Sequence, residues 1–294
     1  MIQVTQFKNR IKVYIHGPNI EVEDADMSFT TTFTDEKEPN LCTLKIYNLN
    51  EANMDAVLNN TKYIEIFTNQ YGIKNTDGTI LWQGAFAGIP KNTEEVKTLK
   101  SGKTKTKHNT PSVNANVEEG DYYIQFDIQE GDGRDIGKFV SKSYRAGFDV
   151  KKIITDVAKS IDLEPVFDKN IKNFKLTYPI ILHENVRDSL VKLASYIDAT
   201  CTFNNGRVYV VGNNPNGLTT YFHFDESNIP QPKFLQNNKI EFVAPYISTL
   251  NVGTFVKLTN RKKHIDGIYQ ICKIENAFSN YSEDCESKIT VKTR

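Results

Sequence analysis

The first third of the chain alternates between apolar and polar positions with a period of two. In residues 42–47 (CTLKIY), the side chains of Cys42, Leu44 and Ile46 fall on one face of an extended segment. Such alternation is typical of half-buried antiparallel strands. The same pattern predicts strands over residues 7–15, 27–33, 63–67, 80–89 and 122–128. A short helix over residues 51–58 interrupts them, with residues 48–50 as its N-terminal cap.

The middle third changes to a helical period. Asp149 precedes a stripe of apolar residues at helical spacing and is the expected N-cap. A second stripe follows residues 182–185, and residues 174–181 between the helices are expected to be extended. Asn204-Asn205-Gly206 then separates two apolar runs, which predicts a hairpin. The two stripes are Val150, Ile153, Ile154, Val157, Ala158 and Ile161, and then Val186, Leu190, Leu193, Ala194 and Ile197.

The last third returns to alternating segments. Strands are predicted over residues 240–244, 255–258, 267–275 and 288–292. The fold class indicated by the whole pattern is mainly β, with two β-rich regions flanking a small two-helix α+β insert.

A long polar segment, residues 91–120, predicts a loop or a flexible hairpin. Five lysines lie within residues 97–107 of this segment. Nucleic-acid-binding surfaces use aromatic residues for stacking or Arg for base contacts, and this run of lysines has neither. Acidic pairs at residues 94–95 and 118–119 also offset its charge. A solvated loop is favoured, and the alternative is an inter-subunit arm that becomes ordered on a neighbouring copy. The candidate residues of that arm are Lys97, Lys100, Lys103, Lys105 and Lys107.

Length and charge narrow the classes of protein. A chain of 294 residues predicts two or three domains. Lys plus Arg and Asp plus Glu are both 36, and this balance argues against general binding to nucleic acid or anionic membranes. The sequence contains no run of about 18 apolar residues, so no membrane span is predicted. The first residues resemble a strand more than a signal peptide.

The cysteines and histidines lack the spacing of a metal site. The four cysteines are far apart in sequence, with no C-x-x-C pair. His223 lies in the segment FHFDE beside Asp225 and Glu226, where a strand end is favoured over a metal ligand. Gly131-Asp132-Gly133 is favoured as a turn over a phosphate loop, because no well-patterned helix follows it. We therefore expect no metal and no cofactor.

Motifs of known catalytic sites are also missing from the sequence. It contains no Walker-type loop, no G-x-G-x-x-G before a helix and no G-x-S-x-G elbow. We expect no catalytic residues and no enzyme activity. The alternative is a cell-wall-directed hydrolase or a carbohydrate-binding module built on β domains, in which Trp82, Tyr122 and Tyr123 would line a sugar site. At a period of two, a core or interface role is favoured for these aromatic residues.

Three stretches of the chain combine strands, turns and helices in a distinctive order. The first, residues 29–50 (FTTTFTDEKEPNLCTLKIYNLN), has a strand, an acidic-to-Pro-Asn turn and a strand ending in IYNL. The second comprises residues 147–165 and 184–211, with two helices and a hairpin, and the third comprises residues 242–260 and 266–280. Together they resemble baseplate hub proteins of contractile-tailed phages and related phage-tail-like particles, with the third stretch similar to the closing strands of such hubs. The resemblance covers most of the chain in order.

The resemblance implies a domain organisation. Two antiparallel β-barrels, each similar to a tail-tube subunit, are expected per chain, and three chains would form a pseudo-sixfold ring. Residues 1–119 would form the first barrel, residues 120–146 and 218–294 the second, and residues 147–217 the inserted α+β module. No lysozyme-like domain or repetitive needle segment is visible in the sequence.

The resemblance also implies a function and a set of partners. The chain would be a structural subunit of a homotrimeric ring that joins the end of the tail tube to the central spike. Its partners would be the tail-tube protein, a spike or tail-tip protein and other baseplate proteins. It would be made in the bacterial host cytoplasm, from a phage or prophage gene, and reside in the tail baseplate of a virion or phage-tail-like particle.

Overall fold

The computed structural model describes most of the chain. The described residues are 9–23, 25–35, 39–74, 80–91, 113–118, 121–130, 138–161, 163–169, 171–204, 207–212, 222–228, 231–282 and 285–292. Strands dominate these ranges, which confirms the mainly-β fold class.

The described residues of the first part of the chain form eight strands and one helix. The predicted alternation is confirmed between residues 41 and 47, where Cys42, Leu44 and Ile46 are all buried. The helix begins where the Asn50 side chain accepts a hydrogen bond from the Asn53 N–H at 2.8 Å. The elements are β1 (Ile11–His16), β2 (Ile20–Val22), β3 (Met27–Thr34), β4 (Leu41–Tyr47), α1 (Glu51–Asn60), β5 (Tyr63–Lys74), β6 (Ile80–Pro90), β7 (Val113–Glu118) and β8 (Asp121–Glu130).

The turn between β1 and β2 packs against the end of α1. Gly17 has a φ of +112°, and a Cβ at this position would lie 1.9 Å from the Asn60 carbonyl oxygen. The Lys62 N–H donates to the His16 carbonyl at 2.8 Å. Only glycine satisfies both the backbone conformation and the close approach.

The middle part forms the predicted α+β insert. Both predicted helices are confirmed, with Asp149 capping the first and Asn185 capping the second. The hairpin is confirmed by the pairing of Asn204 with Arg207. The elements are β9 (Phe139–Tyr144), α2 (Val150–Lys159), β10 (Pro165–Phe167), β11 (Ile180–Asn185), α3 (Val186–Ser195), β12 (Ala199–Asn204) and β13 (Arg207–Gly212).

The insert has its own hydrophobic core. The apolar stripes of α2 and α3 pack with β12 and β13 in one cluster of buried residues. That cluster also includes Val140 of β9, a strand that the sequence analysis did not identify. Strand β9 pairs with β11 in a two-stranded sheet. Residues 139–144 therefore pack with the insert, although the resemblance grouped residues 120–146 with the last third.

In the last part, the described residues include the four predicted strands and two shorter ones. Residues 267–275 were predicted as a strand, and the observed strand is longer at both ends. The elements are β14 (Phe222–Phe224), β15 (Lys233–Leu235), β16 (Lys239–Pro245), β17 (Phe255–Asn260), β18 (Ile265–Ser279) and β19 (Glu286–Lys292).

The first and last parts of the chain meet in one large sheet. Its strand order is β15-β16-β19-β18-β3-β4-β8-β6-β5-β1-β2, and all these neighbours are antiparallel. The junction between the two parts is the pairing of β3 with β18, where the rings of Phe29 and Phe278 stack at 5.5 Å. Both parts contribute to one hydrophobic core.

Strand β8 is the point at which the large sheet branches. One edge of β8 pairs with β4, while the other pairs with β7 over residues 121–126 and with β6 at residues 128–129. All three partners come from the first part of the chain. The division of the large sheet into two tube-like barrels stays a prediction.

Candidate interaction surfaces

A small polar joint connects the insert to the large sheet. The amide nitrogen of Asn40 donates to the Phe203 carbonyl of the insert at 2.9 Å and also to the carboxylate of Glu130. The amide oxygen of Asn40 accepts from the Thr34 N–H at 2.9 Å. Asn40 and Glu130 are both buried. Since one side chain bonds three segments of the chain, Asn40 holds the insert hairpin against the end of β8.

Arg187 places a positive charge at the same joint. Its guanidinium lies over the ring of Phe203 at 4.5 Å from the centroid. Burial lowers the pKa of Arg187, and the nearby charge of Glu130 opposes that effect. The negative charge of Glu130 on the sheet therefore favours the charged form of Arg187 on the insert.

The buried cysteines have the properties of structural thiols. Burial raises the pKa of Cys201 to about 12, and it also raises the pKa of Cys42 well above its ordinary value. The thiolate is the form that attacks electrophiles and binds metals, so both groups are poorly suited to either task. Among the residues that the structure describes, no three His, Cys, Asp or Glu side chains gather as a metal site would require.

The segment around His223 is used to stabilise turns. His223 lies in β14, and its ring is 3.1 Å from the Thr259 hydroxyl oxygen. The Asp225 carboxylate accepts from the Ser227 N–H at 2.9 Å. The Glu226 carboxylate accepts from the Lys262 N–H at 3.2 Å, at the start of a short 3-10 turn. Both carboxylates therefore cap backbone N–H groups within this loop cluster.

The aromatic residues considered for a sugar site lie beneath lysine side chains. The Lys12 ammonium is 5.2 Å from the Trp82 ring, and the Lys45 ammonium is 4.6 Å from the Tyr123 ring. Tyr123 also packs against Tyr47, with ring centroids 5.3 Å apart. These contacts occupy ring faces that a sugar would use for stacking. The side chain of Tyr122 lies outside the described part of the chain.

Two other sequence predictions fall on residues that the structure does not describe. They are the glycine-containing turn at residues 131–133 and the proposed inter-subunit arm. The arm residues are Lys97, Lys100, Lys103, Lys105 and Lys107.

Exposed apolar side chains mark two surfaces. One is the outer face of the β9–β11 ribbon, where Phe139 and Ile181 are 56% and 73% exposed. The other is strand β15 at the end of the large sheet, where Phe234 and Leu235 are both exposed. Large exposed apolar side chains that cluster in this way are typical of protein–protein contacts. Neither surface is evident from the sequence, because β15 has only three residues and β9 and β11 carry mixed polar and apolar residues.

The fold is similar to that of solved tail proteins over almost its whole length. A tail protein from Neisseria meningitidis superposes with a TM-score of 0.63 and 9% identity, covering 98% of this chain and 97% of that one. The 43 kDa tail protein of prophage MuSo2 from Shewanella oneidensis gives a TM-score of 0.63 and 9% identity, with 96% of each chain covered. The chain therefore has the fold of phage tail proteins.

A third structure extends this likeness to a secretion system. An Escherichia coli component of the type VI secretion system, described as similar to the T4 bacteriophage tail proteins gp27 and gp5, superposes with a TM-score of 0.53. It is 8% identical, and the alignment covers 96% of this chain and 77% of that one. No protein-family model and no curated protein sequence matches the chain.

The helices of the described residues are too short or too polar to cross a membrane. This agrees with their lengths, since α1, α2 and α3 have ten residues each. A bilayer requires about 20 apolar residues in a helix.

Proposed function

We propose that this protein is a structural hub subunit of a phage or phage-tail-like baseplate, where it forms a ring between the tail tube and the central spike. The likeness in fold to tail proteins of Neisseria meningitidis and Shewanella oneidensis over nearly the full chain carries this proposal. The sequence resemblance to baseplate hubs supports it independently. The buried thiols and the carboxylates that cap turns agree with a structural role rather than an enzymatic one.

The proposed ring is a homotrimer with two tube-like barrels per subunit. Residues 1–119 would form the first barrel, residues 120–146 and 218–294 the second, and residues 147–217 the inserted module, against which residues 139–144 pack. The continuous sheet that joins the first and last parts supports a plan in which both parts line one ring. Cyclic assembly of copies through strand edges is a common way to remove exposed sheet edges.

The proposed partners follow from that position in the particle. They are further copies of the chain, the tail-tube protein, a spike or tail-tip protein and other baseplate proteins. The proposed location is the baseplate of the tail, after synthesis in the cytoplasm of the bacterial host.

Mass photometry over a range of concentrations, with and without the tail-tube protein, tests this function. We expect a discrete species of about three times the 33.5 kDa of one chain. A monodisperse monomer under every condition, including in the presence of the tail-tube protein, would contradict the ring.

The lysine-rich arm is a separate part of the proposal. Changing all five lysines to Gln is expected to leave the folded monomer intact and to impair assembly, whereas changing them to Arg retains the charge and serves as the matched control. Unchanged assembly of the Gln variant would reject the arm. The positions are Lys97, Lys100, Lys103, Lys105 and Lys107.

A further inference from the structure

Strand β15 forms an open and apolar edge of the large sheet. Within the described residues β15 pairs with β16 alone, from Lys233 opposite Glu241 to Leu235 opposite Lys239. All three of its residues are exposed, and the Phe234 side chain is 62% exposed. Proteins that avoid edge-to-edge association protect such edges with charges, proline or covering segments. Here the centre of the edge strand is a phenylalanine.

Phe234 lies on the core side of the sheet. It is opposite Ile240, which pairs with Val291, and Val291 pairs with Ile271. Cross-strand neighbours project from the same face, so these four residues form one row. Ile240, Val291 and Ile271 are at most 2% exposed. The row is therefore buried as far as β16, and Phe234, its largest side chain, remains uncovered at the edge.

A second open edge ends the same run of strands. From β15 the sheet continues through β16, β19, β18, β3, β4 and β8 to β7, and all seven pairings in this run are antiparallel. Strand β7 pairs with β8 from Val113 opposite Phe126 to Glu118 opposite Asp121. In the described part of the chain, β8 is the strand that borders β7.

The direction of the strands restricts which edges can join. The run from β15 to β7 has eight strands, an even number, so its two end strands point in opposite directions. A rotation about an axis parallel to the strands preserves those directions in the next copy. Strand β15 would therefore meet β7 of that copy in antiparallel orientation, and the alternation would continue without interruption.

The edges formed by β2 and β14 do not meet this condition. The run from β15 to β2 has eleven strands, so these two strands point in the same direction. Strand β14 also points the same way as β15, because it is parallel to β17, which is antiparallel to β18. Either edge would pair in parallel with β15, and parallel pairing is slightly less stable per residue than antiparallel pairing.

We propose that β15 of one copy pairs with β7 of the next copy, head to tail, so that the large sheet continues around the ring and covers Phe234. This inference rests on the proposed function, since it names the joint of the proposed ring. The occupant of the edge is a second copy of this chain, because the chain itself supplies, in β7, a described edge with the matching direction.

Disulfide trapping tests the joint. Phe234→Cys is combined in turn with Asn114→Cys, Ala115→Cys and Asn116→Cys, which together sample both faces and the neighbouring registers of β7. We expect at least one pair to give covalent multimers under oxidising conditions, whereas none of the four single variants does. The matched control pairs Phe234→Cys with Glu21→Cys on β2.

Three outcomes would overturn the inference. They are cross-linking of the β15–β2 control in place of the β7 pairs, cross-linking of Phe234→Cys with itself, and absence of cross-links from every pair. Self-cross-linking would indicate a twofold β15–β15 dimer.

A charge placed on the β15 edge distinguishes a failure of the β15–β7 joint from a failure of the proposed ring. Phe234→Lys is expected to weaken association at least about tenfold, the effect of losing about 1.4 kcal/mol at an interface. The control is Val166→Lys on β10 of the insert, which is 43% exposed in the monomer and is expected to assemble like the wild type. If the ring forms equally well with Phe234→Lys, the β15–β7 joint is rejected but the proposed function is not. A wild-type chain that stays monomeric even with the tail-tube protein rejects the function.

Discussion

The large sheet and the insert are built from the chain in different ways. In the sheet, Phe29 and Phe278 stack at the junction although they are 249 residues apart in sequence. In the insert, the buried stripes of α2 and α3 and the following hairpin are close in sequence. The sheet therefore depends on contacts between distant parts of the chain, while the insert depends on its own caps and core. For this reason we place the joint of the proposed ring in the sheet and regard the insert as an attached unit that the polar joint positions.

The junction of the sheet is expected to be the most sensitive point. Phe278→Ala removes a side chain that is 4% exposed and packs against Phe29 and Tyr246. We expect a loss of about 3–5 kcal/mol in the free energy of unfolding. Urea denaturation measures it. Phe234→Ala at the exposed edge is the matched control and is expected to change monomer stability by less than about 0.5 kcal/mol. Equal losses would contradict the distinction between junction and edge.

The polar joint is expected to come next. Asn40→Ala removes the donor to the Phe203 carbonyl and to Glu130, and leaves buried acceptors without that bond. We expect a loss of about 1–3 kcal/mol in the free energy of unfolding. Asn59→Ala, an exposed Asn whose amide bonds the Asp55 carbonyl at 2.8 Å, is the control and should be close to neutral. If both variants lose the same stability, the joint does not hold the insert.

A smaller effect is expected from the cap of α2. Asp149 accepts a hydrogen bond from the Lys151 N–H at 3.0 Å, so Asp149→Ala should cost about 1 kcal/mol. Asp149→Asn retains a capping side chain and should recover most of that loss. Hydrogen exchange should show faster exchange within the insert and little change in the large sheet. Equal acceleration in both regions would show that they unfold as one unit.

The smallest effect is expected from an exposed ion pair on the insert. A hydrogen bond from Lys142, followed by one from Tyr144, lowers the pKa of Asp156. A carboxyl group whose pKa is lower in the folded state stabilises the fold at pH values above its unfolded pKa of about 3.9. That contribution is lost as the pH falls through the pKa of the folded state. Asp156→Asn should therefore lower the melting temperature slightly at pH 7, with a gap to the wild type that closes below about pH 4. A gap that is independent of pH would contradict this account.

Local patterns were sufficient to predict much of the insert and many strands. Asp149 as a cap and the alternation of residues 42–47 follow from neighbouring residues, and both are confirmed. The junction between β3 and β18 could not be predicted this way, because it joins segments that no short-range pattern relates. The same reason applies to the polar joint, whose side chains come from Asn40, Glu130 and Arg187. The open edge was missed because β15 has only three residues.

Electron microscopy of the protein mixed with its tail-tube protein tests the central claim most directly. The account predicts closed rings with threefold symmetry that sit at one end of the tube. Tubes with bare ends and no rings, or protein bound along the length of the tube, would contradict the role of a hub.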